Sequence, residues 1–299
     1  MERSMKLMVA YDGSARADAA IRDLPYAGLP KKGEALVASV ADISRIAVQE
    51  PPELGTFGKY ISSHLLEVTV EVSRREVAEM LNEARRLAVR GGKKLLAKLP
   101  GWRITSRTSA GNPALELLRA AGDKKPDLII TGSHRRGTIG RFFLGSISKK
   151  IAEKAECSVR VAHRFSNTAS NANTRLLAGV NTLDEGEYLV RALRGRAWPE
   201  GTRLRLIIAG APAGVETGVR QGAALERLTG HLRGMRLSAS VESRNGDLKS
   251  ALLHEANIWN ADSIFVPAHP PDGSAALSDT AASLITSAGC TVEVVRSSE

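Results

Sequence analysis

The sequence predicts an α/β protein built as two tandem copies of one domain, each a five-stranded, mainly parallel sheet with helices on both faces. Two observations predict this. Short apolar runs alternate with longer segments of helical periodicity, the signature of a parallel sheet with crossover helices. The same order of segments then returns after a polar stretch halfway along the 299 residues, a self-similarity that marks internal duplication. That length accommodates one large domain or two of about 150 residues.

The first copy opens with Lys6-Leu-Met-Val-Ala-Tyr11, a buried-type strand. Asp12-Gly13-Ser14 ends it, and Ala15 to Leu24 reads as a helix. Ala35 to Val40 is a second strand after the turn at Lys32-Gly33. Residues 45–63, with Pro51 and Pro52, read as irregular. From about Leu65 to Ala97 the pattern is helical, because Val77, Leu81, Ala84, Leu87 and Ala88 recur at three and four. Arg103 to Ser109 alternates as a strand, and Asn112-Pro113 opens a helix with proline in its first turn. Residues 127–131 form a short apolar strand, 146–155 a helix and Ser158 to Ala162 a last strand. Domain one is thus 1–165. Residues 166–174, rich in Ser, Asn and Thr, are a linker, and 175–299 form the second domain. In it, Arg175 to Val180, Leu204 to Ala209, Arg236 to Val241, Asp262 to Val266 and Cys290 to Val295 repeat the five strands, Cys290 aligning with Cys157.

Hydrophobic content of 43% and 25% charge describe an ordinary soluble globular chain. No apolar run approaches the ~18–20 residues of a membrane span. The N-terminus leads straight into a strand without a signal-peptide apolar region, so no membrane partner is expected and cytoplasm is the expected location. Two cysteines exclude a disulfide scaffold. The net charge of +10 is uneven: residues 1–165 carry 29 Lys+Arg against 18 Asp+Glu, a balance of +11, and residues 166–299 carry 13 against 14, a balance of −1. The basic excess sits in the first domain and points to an anionic ligand as well as to a merely solvated surface. With 4% aromatic residues, platforms for stacking single-stranded nucleic acid are not expected, and a nucleotide is favoured over nucleic acid.

The chemistry concentrates in residues 127–148. The strand at 128–131 runs into Gly132-Ser133-His134-Arg135-Arg136-Gly137, continues through Gly140 and Arg141, and reaches Gly145-Ser146-Ile147-Ser148 at a helix start. Strand, glycine loop and helix N-terminus present backbone N–H groups to phosphate. Gly132, two residues, Arg135, nine residues and Gly145-Ser146, with Val9 to Ser14, Gly111-Asn-Pro-Ala and Cys157-Ser-Val-Arg-Val, resemble the universal stress protein family, whose nucleotide loop reads G-x2-G-x9-G-S/T. The resemblance covers the whole chain as a tandem form. It implies a Rossmann-like, adenine nucleotide alpha hydrolase-like fold and an adenine nucleotide such as ATP, with Mg as the ion that would accompany it. Carried over by position, Asp12 and the strand end Val40-Ala41-Asp42 would contact adenine or ribose, with Ser14 beside them. Gly132 would sit by the ribose, Ser133 next to it is a further nucleotide-binding position, and Gly145, Ser146 and Ser148 would hold phosphates. Arg135 replaces the second motif glycine, where it would either block the backbone approach or add charge to the phosphates. Asp12 and Ser14 also have a purely structural reading, as a cap on the helix they precede.

In the second copy Pro267 stands for Gly132 and Ser278-Asp279 for Gly145-Ser146, which removes an N–H donor and sets a carboxylate against phosphate. That site is expected to be lost. The six histidines lack metal-ligand spacing, and no Ser/His/Asp set or phosphate-binding GxxxxGK[ST] is present, so no fast enzyme is expected. The expectation is a nucleotide-responsive stress regulator with an unknown protein partner. A scaffold without nucleotide and a slow ATP-using enzyme of the same broad fold remain the alternatives. The last strand of each copy is an edge of the kind that proteins cover. Antiparallel pairing of 158–162 with 291–295 inside one chain is expected, giving a pseudo-dimer. The competing arrangement pairs these strands between chains in a larger assembly.

Overall fold

The computed structural model describes residues 4–44, 59–133, 145–163, 174–209, 226–232, 237–268 and 277–296, with side chains from residue 74 onward in the second stretch. The first half runs β1 (Lys6–Ala10), α1 (Ala15–Asp23), β2 (Gly33–Asp42), α2 (Lys59–Lys98), β3 (Trp102–Gly111), α3 (Pro113–Lys124), β4 (Leu128–Gly132), α4 (Ser146–Lys154) and β5 (Ser158–Ala162). The second runs β6 (Arg175–Val180), α5 (Leu183–Arg194), β7 (Arg203–Ala209), α6 (226–232), β8 (Ser238–Arg244), α7 (Leu248–Ile258), β9 (Ser263–Pro267), α8 (Asp279–Ser287) and β10 (Thr291–Val295).

All ten strands form one sheet in the order β3-β2-β1-β4-β5-β10-β9-β6-β7-β8. Every pairing within a half is parallel. The β5–β10 ladder is antiparallel, with Arg160 opposite Glu293 and a valine pair on either side. This is the intramolecular pairing expected from the sequence. The second half repeats the strand order of the first, and small details repeat too. Asp127 accepts from the Lys6 N–H at 2.7 Å and Asp262 from the Arg175 N–H at 2.8 Å, fixing the start of the first strand of each half. Lys125 and Asn260, just past α3 and α7, both take left-handed φ, at 45° and 51°.

The local signals explain the helices. Ser14 caps α1 by accepting from the Ala17 N–H. Asn112 caps α3 with proline in its first turn. Thr182 and Glu185 close α5 with a reciprocal capping box. The expectation of irregular chain over 45–63 needs one correction: α2 already begins at Lys59 and runs 40 residues. Gly58 is the weak cap signal before that start in the sequence, and the prolines at 51 and 52 conceal it. Residues 45–58 lie outside the described residues.

Strand alternation divides the core. On one face Met8, Ile129, Val159 and Val161 meet Leu177, Ile264, Val292 and Val294 in one cluster that runs unbroken across the β5–β10 ladder, covered by α3, α4, α7 and α8. On the opposite face the apolar clusters are separate. Leu7, Val9 and Ile130 lie under α1 and α2, and Leu176, Leu206 and Phe265 lie under α5 and α6. Between them is a buried polar seam.

Candidate functional site

In the first half the chain leaves β1 toward β2 on one side and β4 toward β5 on the other. The carboxyl ends of β1 and β4 therefore flank a topological switch point, the place where open parallel sheets form a ligand crevice. Both sequence segments singled out above arrive there. α1 starts beside it on one face and α4 on the other. β2 and β3 stay paired through Asp42 and Gly111, whereas β1 ends level with Ala38. Four further residues, ~13 Å of strand, thus rise as a wall beside the crevice.

Asp12 is exposed, and its Oδ1 accepts from the Ser14 N–H at 3.0 Å. The Ser14 side chain is spent on the α1 cap, so the structural reading of these two residues holds whether or not they also meet a ligand. Gly13 between them has φ +76°, a conformation that favours glycine. Arg90 of α2 donates to its carbonyl at 3.0 Å, and Leu87 fills the space where a Cβ would be. This clamp from 77 residues away was not legible in the sequence. Val40 is half-buried and shares its strand face with Asp42, on the α3 side; Ala41 is 4% exposed on the opposite face. Asp42 accepts from the N–H and hydroxyl of Ser44.

Gly132 ends β4. A Cβ there would lie 2.7 Å from the Arg16 backbone carbon and oxygen. The glycine is demanded by the close approach of α1 to β4. Ser133 donates its N–H to Ala162 at 2.9 Å, tying the start of the loop to the end of β5. Arg135, with residues 134–144, lies outside the described residues.

Gly145 is the N-cap of α4, with φ −61° and ψ 144°. It has no side chain to offer, so the first N–H groups of α4, on Ser146, Ile147 and Ser148, have no intrahelical acceptor. Ser146 is exposed. Ser148 departs from the expectation of a phosphate-holding hydroxyl: it is 5% exposed, donates to the Gly132 carbonyl at 2.8 Å and lies 2.9 Å from the Thr131 hydroxyl. Its hydroxyl fastens α4 to the end of β4, and what it presents outward is backbone N–H.

At the corresponding rim of the second half the described helix starts are capped by their own groups. Glu185 accepts from the Asn181 and Thr182 N–H groups at the start of α5. Ser278 caps α8 by accepting from the Ala281 N–H, and Asp279 occupies the first turn. Ala281, fully buried, stands where Ser148 stands. Nucleophilic chemistry finds no support in either cysteine, because burial pushes both thiols up to about 12. Among the described residues no group of three or more His, Cys, Asp or Glu could hold a metal, and no helix is long and apolar enough to cross a membrane.

The fold and its crevice define a doubly wound α/β chain with a helix N-terminus that carries no side-chain cap from Gly145 at the switch point of its first half. The chain belongs to the universal stress protein family, whose model matches residues 4–163, just over half of its length. It is 32% identical over 88 residues to the universal stress protein MJ0531 of Methanocaldococcus jannaschii, a match covering 29% of this chain and 51% of that one. The chain thus spans about half the length of that relative. It is 27% identical over 158 residues to universal stress protein YxiE of Bacillus subtilis, covering 52% of this chain and 97% of that one. In fold it is similar to a universal stress protein from Archaeoglobus fulgidus, with a TM-score of 0.65 at 17% identity over 98% of this chain and 99% of the other.

Proposed function

We propose that residues 1–165 form an adenine-nucleotide-binding unit, ATP being the favoured ligand, and that residues 175–299, beyond the 166–174 linker, are a degenerate copy. The protein would act as a nucleotide-responsive stress regulator in the cytoplasm rather than as a fast enzyme. The observation that carries the reading is the contrast between the two equivalent helix N-termini. α4 begins at a glycine and leaves its first N–H groups to an anion, whereas α8 begins at Ser278-Asp279 and caps itself. The excess of +11 in residues 1–165 supports an anionic ligand on the same half.

In this reading the phosphates lie against the backbone N–H groups of residues 146–148 and the Ser146 hydroxyl. Asp12 and the Val40–Asp42 wall border the base and ribose. Ser148 contributes through its N–H and by holding α4 in place. Mg would travel with ATP on phosphate and water, since the described residues bring no acidic cluster to the crevice.

Gly145→Asp tests this directly. The backbone at 145 is open to any residue, and aspartate is a favoured N-cap, so the fold should melt at or slightly above the wild-type temperature. The new carboxylate takes the N–H groups and repels phosphate, so ATP binding measured by calorimetry should disappear. Retained affinity in the variant would refute the site. Nucleotide released from freshly purified protein and identified by mass spectrometry would name the ligand.

A further inference from the structure

The seam between the apolar clusters holds a charge arrangement remote from the crevice. Arg160 of β5 and Glu293 of β10 are the central pair of the antiparallel ladder, and both are 0% exposed. They bond at 3.1 Å. Each is also held from within its own half, Arg160 by Asp23 at the end of α1 and Glu293 by Arg196 just past α5. Arg160 further donates to the Ser263 hydroxyl of the opposite half at 2.7 Å, and Thr291 donates to Asp23 at 2.8 Å. The flanks are pseudo-symmetric. The N–H of Arg296 donates to the Ser158 hydroxyl at 3.0 Å, and the N–H of His163 to the Thr291 hydroxyl at 3.4 Å. Around this near-two-fold axis the halves differ at the centre, where one carries a guanidinium and the other a carboxylate.

We infer that Arg160 and Glu293 are a pairing code that makes the β5 edge accept only a β10 edge. The pseudo-two-fold geometry would let β5 pair with the β5 of another copy, or β10 with another β10, in the same register. The first would set Arg160 against Arg160 and the second Glu293 against Glu293. Both contacts lie where water is excluded, and like charges brought together there are strongly unfavourable. Asp23 and Arg196 already balance Arg160 and Glu293 within each half, so the unlike pair is the combination that adds a bond between opposite charges where either like pairing adds a repulsion, and the partner that fits this surface is the opposite half of this same chain, its own or a second copy's. The inference is independent of whether nucleotide binds.

Two full-length variants test it. Glu293→Arg places arginine on both edges, and Arg160→Glu places glutamate on both. Each alone should melt ~10 °C or more below wild type, because every available pairing now carries like charges. Co-expressed with different affinity tags, the two variants should copurify. Arg160 of one chain and Glu293 of the other rebuild a complete native junction, with Asp23 and Arg196 in their native places. Two differently tagged copies of the same variant should not copurify. If a variant fails to accumulate alone, its recovery in the mixed expression is the readout. Wild-type melting of either variant, or copurification no stronger for the mixed pair than for the like pair, would overturn the inference.

Discussion

Gly132→Ala separates packing from ligand binding at a position where both have a claim. A methyl group at 132 would meet the Arg16 backbone at 2.7 Å and the Arg16 Cβ at 2.9 Å, about 1 Å inside ordinary contact. The obstacle is main chain in the first turn of α1, which no rotamer change relieves. That turn is pinned by the Ser14 cap and, one turn on, by the Lys94–Asp18 ion pair at 2.6 Å. Overpacking typically costs ~1–3 kcal/mol, and so rigid a neighbour points to about 2–3 kcal/mol. At ~2–4 °C per kcal/mol for chains of this order, the ligand-free protein should melt about 5–10 °C lower. The assay is differential scanning calorimetry of nucleotide-free protein, with ATP titration run separately at a temperature where the variant is folded. A variant that melts like wild type yet loses ATP would refute the packing argument and give Gly132 to the ligand alone.

Two further predictions follow from buried polar groups. Ser148→Ala should cost ~1–3 kcal/mol by leaving the Gly132 carbonyl unpaired, lowering the melting temperature without a matching loss of ATP affinity; an affinity loss at unchanged stability would restore the hydroxyl to the phosphates. Acid should destabilise the fold in two stages. Burial holds the His163 imidazole below its ordinary 6.5, against the pull of Asp23, so the stability of its neutral form is present above pH ~6.5 and is lost as pH falls through the lower folded value. Burial alone would raise Glu293, but Arg196 and Arg160 overcome it and hold the carboxyl below its ordinary 4.5, so its contribution persists above that value and is lost on further acidification. Denaturant midpoints measured from pH 7 to pH ~2 should fall below pH ~6.5 and again below pH ~4.5, and His163→Gln should remove the first stage; a profile flat across either window would contradict the assignment it tests.

Much of the fold was legible because its signals are local. Apolar runs marked β1, β4 and β6, Asn112-Pro113 marked α3, and the shared ending of the two copies marked the central ladder. The candidate crevice was legible as a motif, but not in its physics. Gly132, read as a ligand glycine, also makes room for a helix, and the Ser148 hydroxyl, read as a phosphate donor, bonds a strand end. In both cases the deciding neighbour is tertiary, Arg16 for one and Thr131 with Gly132 for the other. Arg160 and Glu293 were hidden by the usual meaning of alternation, since a charge between valines on a terminal strand reads as solvent-facing. Their signal was present only in the comparison of copies, Val-Arg-Val in one and Val-Glu-Val in the other.

The antiparallel β5–β10 ladder also sets a direction for the whole molecule. Strands of the two halves run opposite ways across it, so the carboxyl ends of β1 and β4 open on one rim of the sheet and those of β6 and β9 on the other. Two crevices of a duplicated chain could in principle share one face and be bridged by one visitor; here they are back to back. The α4 start without a side-chain cap lies on one rim, while among the described residues the other rim carries the self-capped starts of α5 and α8, with Glu185 and Asp279. Under the proposed function the molecule is vectorial, with a front whose surface would change when nucleotide settles there and a back whose surface would not. A protein that read the proposed nucleotide state would then have a single side from which to do so, with one reader per chain as the expected stoichiometry.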